Sequence, residues 1–190
     1  MSKKTIGFAL CGSFCTFSKA IEQITMLIEN NYKVIPIMSE NAYSTDTRFG
    51  NCIDINKKIE SICNHEIIHT ITDAEPFGPK SLLDLLIIAP CTGNTLGKMA
   101  NGITDTSVTM AAKSHMRNNK PVLIAVSSND ALSTSAKNIG MLQNNKNIFF
   151  VPYGQDDPNN KPTSLVAHFD MILPSIENAL KGTQIQPILV

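Results

Sequence analysis

Four short stretches of this chain are apolar from end to end, and residues with helical spacing follow them. The stretches cover residues 5–11, 34–38, 85–89 and 121–126. A strand reads as a continuous apolar run when both faces of its sheet are covered, whereas a half-exposed strand alternates apolar and polar residues. We therefore expect a parallel sheet with helices on both faces.

Right-handed crossovers arrange such units into a three-layer, doubly wound α/β sandwich of the Rossmann-like or flavodoxin-like kind. Helical spacing predicts helices at 17–28, 53–63, 110–117, 133–145 and 169–180, with a short one at Leu82 and Leu83. The remaining pattern predicts short strands at 67–71 and 148–151 and a polar loop at 154–162. No repeat or boundary interrupts the chain, so residues 1–190 are predicted to form a single domain.

Charge and apolar content exclude several classes of protein. The 16 basic and 16 acidic side chains cancel, so we expect no basic surface for nucleic acid or an anionic membrane. The first apolar run is too short for a signal peptide, and no stretch approaches the roughly 18 apolar residues of a transmembrane helix. The 5 cysteines form no CxxC pair, which predicts reduced thiols in a cytoplasmic protein.

The residues that follow the predicted strands indicate a binding site. Because the carboxyl ends of parallel strands share one edge of a sheet, these residues are expected to meet there, beside helix N-termini that favour anions. Glycine allows close approach, and hydroxyl and amide groups supply hydrogen bonds. The predicted cofactor-binding residues are Gly12, Ser13, Phe14, Ser39, Pro90, Thr92, Asn94, Thr95, Ser128 and Asn129.

Some of these positions also have a purely structural explanation. Ser13, Thr16 or Ser18 could cap the first helix, and Thr92 or Asn94 could cap the helix after the third strand. Capping is compatible with ligand binding. Cys91 is either a nucleophile or a small buried thiol, and the sequence places no histidine or lysine to lower its pKa. No catalytic residue is assigned.

Residues 65–69 read HEIIH, which matches the H-E-x-x-H zinc signature. That signature binds zinc on a helix, whereas Thr70, Ile71 and Thr72 continue a β-branched run that favours a strand. In a strand, His65 and His69 would lie about 13 Å apart, too far to bind one ion. We predict no metal site.

The segment APCTGNT at 89–95, continued by KMANGITD at 98–105, resembles the signature loop of the homo-oligomeric flavin-containing cysteine decarboxylase superfamily. Within that superfamily the chain is most similar to the family of dipicolinate synthase B subunits from spore-forming bacteria. The most specific matches are AEPFGP at 74–79, SNDAL at 128–132, PYGQDDP at 152–158 and KPTSLVA at 161–167.

The chain departs from the decarboxylases of this superfamily at two places. Those decarboxylases have in common a histidine about eighteen residues before the loop asparagine. At that place this chain has Glu75 and Pro76. Their Pro-x-Met-Asn-x-x-Met-Trp segment corresponds to residues 127–132, in which only the asparagine, Asn129, remains. The resemblance thus implies that the flavin-type pocket serves a reaction other than oxidative decarboxylation of a cysteine.

The resemblance implies a part in the last step of dipicolinate synthesis, in the cytoplasm of the mother cell of a spore-forming bacterium. It implies a partner, the dipicolinate synthase A subunit, which carries NAD(P). It also implies a small dicarboxylate substrate, FMN as a possible cofactor, and a homo-oligomer. Two alternatives stay open. One is a free-standing FMN protein of the decarboxylase or flavin prenyltransferase type, and the other is a non-catalytic scaffold with a vestigial flavin pocket.

Overall fold

The computed structural model describes residues 3–190, in which seven strands form one sheet. The strand order is β2-β1-β3-β4-β7-β6, and β5 also pairs with β4. The strands are β1 (Thr5–Leu10), β2 (Lys33–Met38), β3 (Leu85–Cys91), β4 (Val122–Ser128), β5 (Ile148–Phe150), β6 (Tyr153–Gly154) and β7 (Leu165–Ala167).

Strands β1 to β5 pair with one another in parallel, as the apolar runs predict. The central strand β3 lies between β1 and β4, and all of its residues are buried. Complete burial of a strand requires helices on both faces of the sheet. The prediction of a doubly wound, three-layer α/β fold is therefore confirmed.

Within residues 3–190, eight α-helices accompany the sheet. They are α1 (Phe17–Glu29), α2 (Glu40–Ser44), α3 (Cys52–Cys63), α4 (Ile71–Ala74), α5 (Gly93–Ala100), α6 (Ser107–Met116), α7 (Ala136–Gln143) and α8 (Ile172–Leu180). Helix α1 packs against α3 and α8 on one face, while α4, α5, α6 and α7 contact one another in the opposite layer. Short 3-10 turns at Phe14–Thr16, Glu75–Phe77 and Phe169–Met171 connect the elements.

The sheet differs from the predicted all-parallel one at its carboxyl edge. Strand β7 is antiparallel both to β4, where Ser127 pairs with Val166, and to β6. The hairpin of β6 and β7 extends the sheet beyond β4, and residues 155–164 form its connection. The segment predicted as a polar loop at 154–162 is therefore the tip of a hairpin that stands beside the strand ends.

Several predicted elements need correction. The predicted strand at 67–71 is reduced to one bridge, between Ile68 and Ile37, because Thr70 accepts a hydrogen bond from the Asp73 N–H at 3.1 Å and starts helix α4 there. Leu82 and Leu83 are not helical. Helix α6 begins at a capping box formed by Thr106 and Thr109, and it therefore starts earlier than the helix predicted at 110–117. Helix α7 is shorter at both ends than predicted.

Within residues 3–190, no helix has both the length and the apolar character that crossing a lipid bilayer would require.

Candidate functional site

A cleft with two chambers lies along the carboxyl edge of the sheet. The hairpin-side chamber has a volume of about 510 Å³ and lies between the ends of β1, β3 and β4 and the β6–β7 hairpin. The β2-side chamber has a volume of about 520 Å³ and lies between the end of β2 and the start of α6. Gly12, Thr92 and Asn94 line both, so the chambers are neighbours.

The predicted site residues meet at this cleft, with one exception. Gly12, Ser13, Phe14, Thr92, Asn94, Ser128 and Asn129 line the hairpin-side chamber, and Ser39 and Thr95 line the other. Pro90 is the exception, because it lies inside strand β3 and is buried. Its carbonyl accepts the Cys11 N–H at 3.2 Å and so joins the ends of β1 and β3. Pro90 therefore joins two strand ends and lines neither chamber.

The turn between β1 and α1 directs hydroxyl groups towards the cleft. The hydroxyl groups of Ser13 and Ser127 are hydrogen-bonded at 2.8 Å, which links the ends of β1 and β4. Thr16 donates to the Ser13 carbonyl at 2.8 Å, and neither side chain caps the helix that follows. The capping explanation therefore does not account for Ser13 and Thr16.

The junction of β3 and α5 is held by hydrogen bonds to its first N–H groups. These groups have no acceptor within a helix. The Thr92 hydroxyl accepts from the Thr95 N–H at 3.4 Å, and the Ser128 hydroxyl accepts from the Gly93 N–H at 3.1 Å. The Asn94 N–H has no such partner in the described chain, and the Asn94 side chain is exposed to the cleft. Thr92 thus caps the helix, and the N–H and side chain of Asn94 remain available at the cleft.

Asp130 holds the end of β4 to the start of α7. Its carboxylate accepts hydrogen bonds from the hydroxyls of Ser128 and, at 2.9 Å, of Ser135. A side chain at Gly93 would meet all three of these residues, with Ser135 Oγ at 2.6 Å and Ser128 Oγ at 2.7 Å from an added Cβ. The junction therefore requires glycine, and the Asp130 carboxylate is occupied in holding the chain together.

The β2-side chamber is built from caps and one ion pair. Ser39 caps α2 by accepting from the Ala42 N–H at 3.3 Å. Glu40 accepts from the Ser107 N–H at 3.0 Å, which joins this corner to α6. Lys98 pairs with Asp105 at 2.9 Å, and the hydrogen bond from Lys98 lowers the pKa of the Asp105 carboxyl.

The buried cysteines at the ends of β1 and β3 are protonated thiols at neutral pH. Burial raises the pKa of Cys11 to about 11, although the Thr95 hydroxyl donates to its sulfur at 3.2 Å. Burial also raises the pKa of Cys91 well above its usual value. Since only the thiolate is a good nucleophile, the structure favours the buried-thiol interpretation of Cys91.

Four charged or aromatic lining residues were missed by the sequence analysis. Arg48 and Phe49, from the loop between α2 and α3, and Asp156 and Lys161, from the hairpin, line the hairpin-side chamber. Lys161 and Asp156 pair at 3.2 Å. Partial burial acts to raise the pKa of Asp156, but hydrogen bonds from Ser164 and Lys161 outweigh it and lower the pKa. The segments PYGQDD and KPTSL, which contain or adjoin the two strands of the hairpin, were the sequence signal that could have identified it.

The H-E-x-x-H segment lies away from the cleft and is not helical. His69 stacks on Tyr43 with ring centroids 3.8 Å apart, and His65 contacts the Glu66 carbonyl at 2.7 Å. Between Lys3 and Val190, no three His, Cys, Asp or Glu side chains are grouped so that they could hold a metal ion.

The profile of the flavoprotein family matches residues 1–178. Over 187 residues, which are 98% of this chain and 94% of the relative, the sequence is 49% identical to the dipicolinate synthase B subunit of Bacillus subtilis (strain 168). The chain belongs to the flavoprotein family, among the dipicolinate synthase B subunits. The crystal structure of the dipicolinate synthase B subunit from Bacillus halodurans C has a TM-score of 0.91 and 45% identity, and the match covers 98% of this chain and 96% of that one.

More distant members of the fold include the FMN-dependent cysteine decarboxylase SpaF, with a TM-score of 0.68 and 20% identity. The match covers 94% of this chain and 95% of SpaF, and it establishes that the two share a fold. Glu75 and Pro76, which replace the histidine expected from the decarboxylase pattern, lie in a 3-10 turn that packs on α6 and do not line the cleft.

Proposed function

We propose that this chain is the B subunit of a dipicolinate synthase, which acts with an NAD(P)-binding A subunit to oxidise dihydrodipicolinate to dipicolinate. One observation carries the proposal, namely 49% identity to the dipicolinate synthase B subunit of Bacillus subtilis over nearly the full length of both chains. We further propose that residues 1–190 act as one flavoprotein-like domain, and that the protein works as a homo-oligomer in the mother-cell cytoplasm.

The cleft suits a small ring that carries carboxylates. Its free donors include the Asn94 N–H and the side-chain amides of Asn94 and Asn129, all at the ends of β3 and β4. The first turn of α5 adds the positive end of a helix dipole, which favours an anion. The chain can therefore bind and orient a dicarboxylate without a catalytic residue of its own.

The proposed oxidation removes two hydrogens from the dihydropyridine ring. A hydride leaves a ring carbon for the oxidised nicotinamide on the partner, and a proton leaves for water or a base. Among residues 3–190, no histidine lines either chamber, and Asp130 and Asp156 are both engaged with neighbours. The contribution of this chain is then to hold the ring where the nicotinamide can reach it, which is a substantial part of catalysis.

We also propose that the cleft can accept FMN, because the donor set fits a phosphate as well as a carboxylate. Ser13, Ser39, Thr92 and the Asn94 N–H would hold the flavin phosphate and its linker. Gly12 lines both chambers without a side chain, so a ligand can approach its backbone closely. A bound flavin would supply two-electron redox chemistry.

Reconstitution tests the proposed function. Purified chain is combined with the A subunit of a dipicolinate synthase, an oxidised nicotinamide cofactor and a dihydrodipicolinate source, and pyridine-dicarboxylate absorbance is followed. We expect turnover by the A subunit to rise on addition of this chain, and to fall about tenfold with Asn94→Ala or Asn129→Ala because a charge-assisted hydrogen bond is lost. Asn144→Ala, at the exposed end of α7 outside the cleft, is the matched control.

The outcomes separate the three hypotheses. Stimulation that both cleft variants leave unchanged would indicate a scaffold without a working pocket. No stimulation, together with a visible flavin spectrum in the purified chain, would indicate a free-standing FMN protein. Light scattering on the same preparation tests the homo-oligomer.

A further inference from the structure

The loop between α2 and α3 brings an arginine and an exposed aromatic ring to the edge of the hairpin-side chamber. Arg48 and Phe49 both line that chamber. The Arg48 guanidinium lies over the Phe49 ring, 4.9 Å from its centroid. Phe49 is 49% exposed, so one part of its ring is accessible to a ligand in the chamber.

Arg48 is the basic residue of this chamber that is not paired with a carboxylate. The chamber contains two basic residues, Arg48 and Lys161, and two acidic ones, Asp130 and Asp156. Lys161 is paired with Asp156, and Asp130 accepts from two hydroxyls. Arg48 forms no ion pair with any carboxylate between residues 3 and 190. An anion entering the chamber would therefore meet an arginine whose N–H groups are available.

The loop is fixed in place although it is exposed. Thr47 and Gly50 exchange backbone hydrogen bonds, both at 3.1 Å, and the Thr47 hydroxyl accepts from the Phe49 N–H at 3.1 Å. At the base of the loop, Asp46 accepts from the Cys52 N–H at 2.8 Å and Asn51 caps α3. The backbone that carries the arginine and the ring is thus fixed, so that little backbone entropy is lost when a ligand binds.

We propose that Arg48 binds a carboxylate of the ring substrate while Phe49 packs against the ring itself. This inference rests on the proposed function and assigns the substrate class to particular residues: a planar ring with a carboxylate at its edge. Guanidinium is planar and can form two parallel hydrogen bonds to one carboxylate while its face rests on an aromatic ring. Asn94 and Asn129 line the same chamber, and in this arrangement they bind the other carboxylate of the ligand.

Binding measurements on the whole chain test this assignment. Isothermal titration compares pyridine-2,6-dicarboxylate with pyridine-2-carboxylate for the unmodified protein, Arg48→Gln, Arg48→Lys and Phe49→Leu. Arg117→Gln is the matched control, because it removes the same charge from the end of α6, outside both chambers. Thermal melts of each variant confirm folding, and FMN is titrated in parallel.

We expect Arg48→Gln to weaken dicarboxylate binding about tenfold to hundredfold, as for loss of a hydrogen bond to a charged group. Arg48→Lys should recover part of that loss because it restores charge but not the paired geometry. Phe49→Leu should weaken the binding of both ligands to a similar extent, because both contain the pyridine ring. The preference for two carboxylates over one should shrink in Arg48→Gln and persist in Arg117→Gln.

Two results would overturn the inference while leaving the proposed function intact. One is unchanged dicarboxylate affinity in Arg48→Gln, and the other is a loss that falls on FMN and spares the dicarboxylate. Failure of the unmodified chain to bind the dicarboxylate, combined with no stimulation of the dipicolinate synthase partner, would instead overturn the proposed function and the inference together.

Discussion

The cleft has a packed side and an exposed side that are built in opposite ways. On the packed side, the junction of β3 and α5 continues a wholly buried strand and is tied to β4 by Gly93, Ser128 and Asp130. On the exposed side, the loop at 45–50 is held by bonds within itself and to the start of α3. The packed side fixes the geometry of the site, and the exposed side contributes charge and an aromatic surface. Substitutions should therefore affect stability on one side and binding on the other.

Gly93→Ala should cause the largest loss of stability. The added methyl group would approach Ser128, Asp130 and Ser135, and the hydrogen bonds that join them would have to move. Overpacking and two disturbed hydrogen bonds predict a loss of about 4 kcal/mol in the free energy of unfolding. Urea denaturation measures it. Gly140→Ala in α7 is the control, because nothing lies within 4 Å of its added Cβ and alanine favours a helix; equal effects of the two would refute this account of the junction.

Acid should destabilise the fold through His115 on α6, which lies at the amino end of β4 and outside the cleft. This side chain is buried, and its Nε2 donates to the Pro121 carbonyl at 3.0 Å while Nδ1 has no hydrogen-bond partner. Burial lowers its pKa from 6.5 to about 4. The hydrogen bond to Pro121 opposes this shift, Lys120 adds to it, and Asp84 opposes it least. Between these two pH values the unfolded chain binds the extra proton and the folded chain does not.

The free energy of unfolding is therefore at its full value above about pH 6.5. It decreases by about 3 kcal/mol as the pH falls to about 4. Chemical denaturation at a series of pH values measures this slope. His115→Gln retains an N–H donor for Pro121 but does not titrate, so its slope over the same range should be shallower. Parallel slopes for the two proteins would show that His115 is not the acid-sensitive group.

Asn51→Ala should have an intermediate effect at the base of the exposed loop. The Asn51 side chain accepts from the Ile53 N–H at 2.9 Å and caps α3. Loss of such a cap costs about 1 kcal/mol. Denaturation measures the loss, and Asn51→Asp, which keeps the acceptor, should restore most of it. If the alanine and aspartate variants are equally unstable, the cap is not what holds the loop to α3.

The sequence could predict the packed side because its signals are strong and local. An apolar run such as 85–89 identifies a buried strand, and parallel topology then requires Ser39, Thr92 and Ser128 to meet at one edge. The position of Pro90 beside the loop did not reveal that the strand continues to Cys91.

The exposed side could not be predicted in the same way. Residues 45–50 have no apolar period, and their position depends on bonds to Cys52 that only the folded chain makes. Strands β6 and β7 have two and three residues, too few to show an alternation. The β-branched run at 70–72 suggested a strand, but the Thr70 hydroxyl serves instead as a helix cap.

Arg48→Gln should have the smallest effect on stability, although its effect on binding is expected to be large. Arg48 is exposed, and its one described stabilising contact is with the Phe49 ring. An exposed cation–π pair contributes about 0.5 kcal/mol, so thermal and urea melts should nearly superimpose on those of the unmodified chain. A loss of stability approaching that of Gly93→Ala would mean that the loop is part of the packed framework. The two sides of the cleft would then fold as one unit, and weaker ligand binding by Arg48→Gln would reflect a disordered site instead of a missing carboxylate contact.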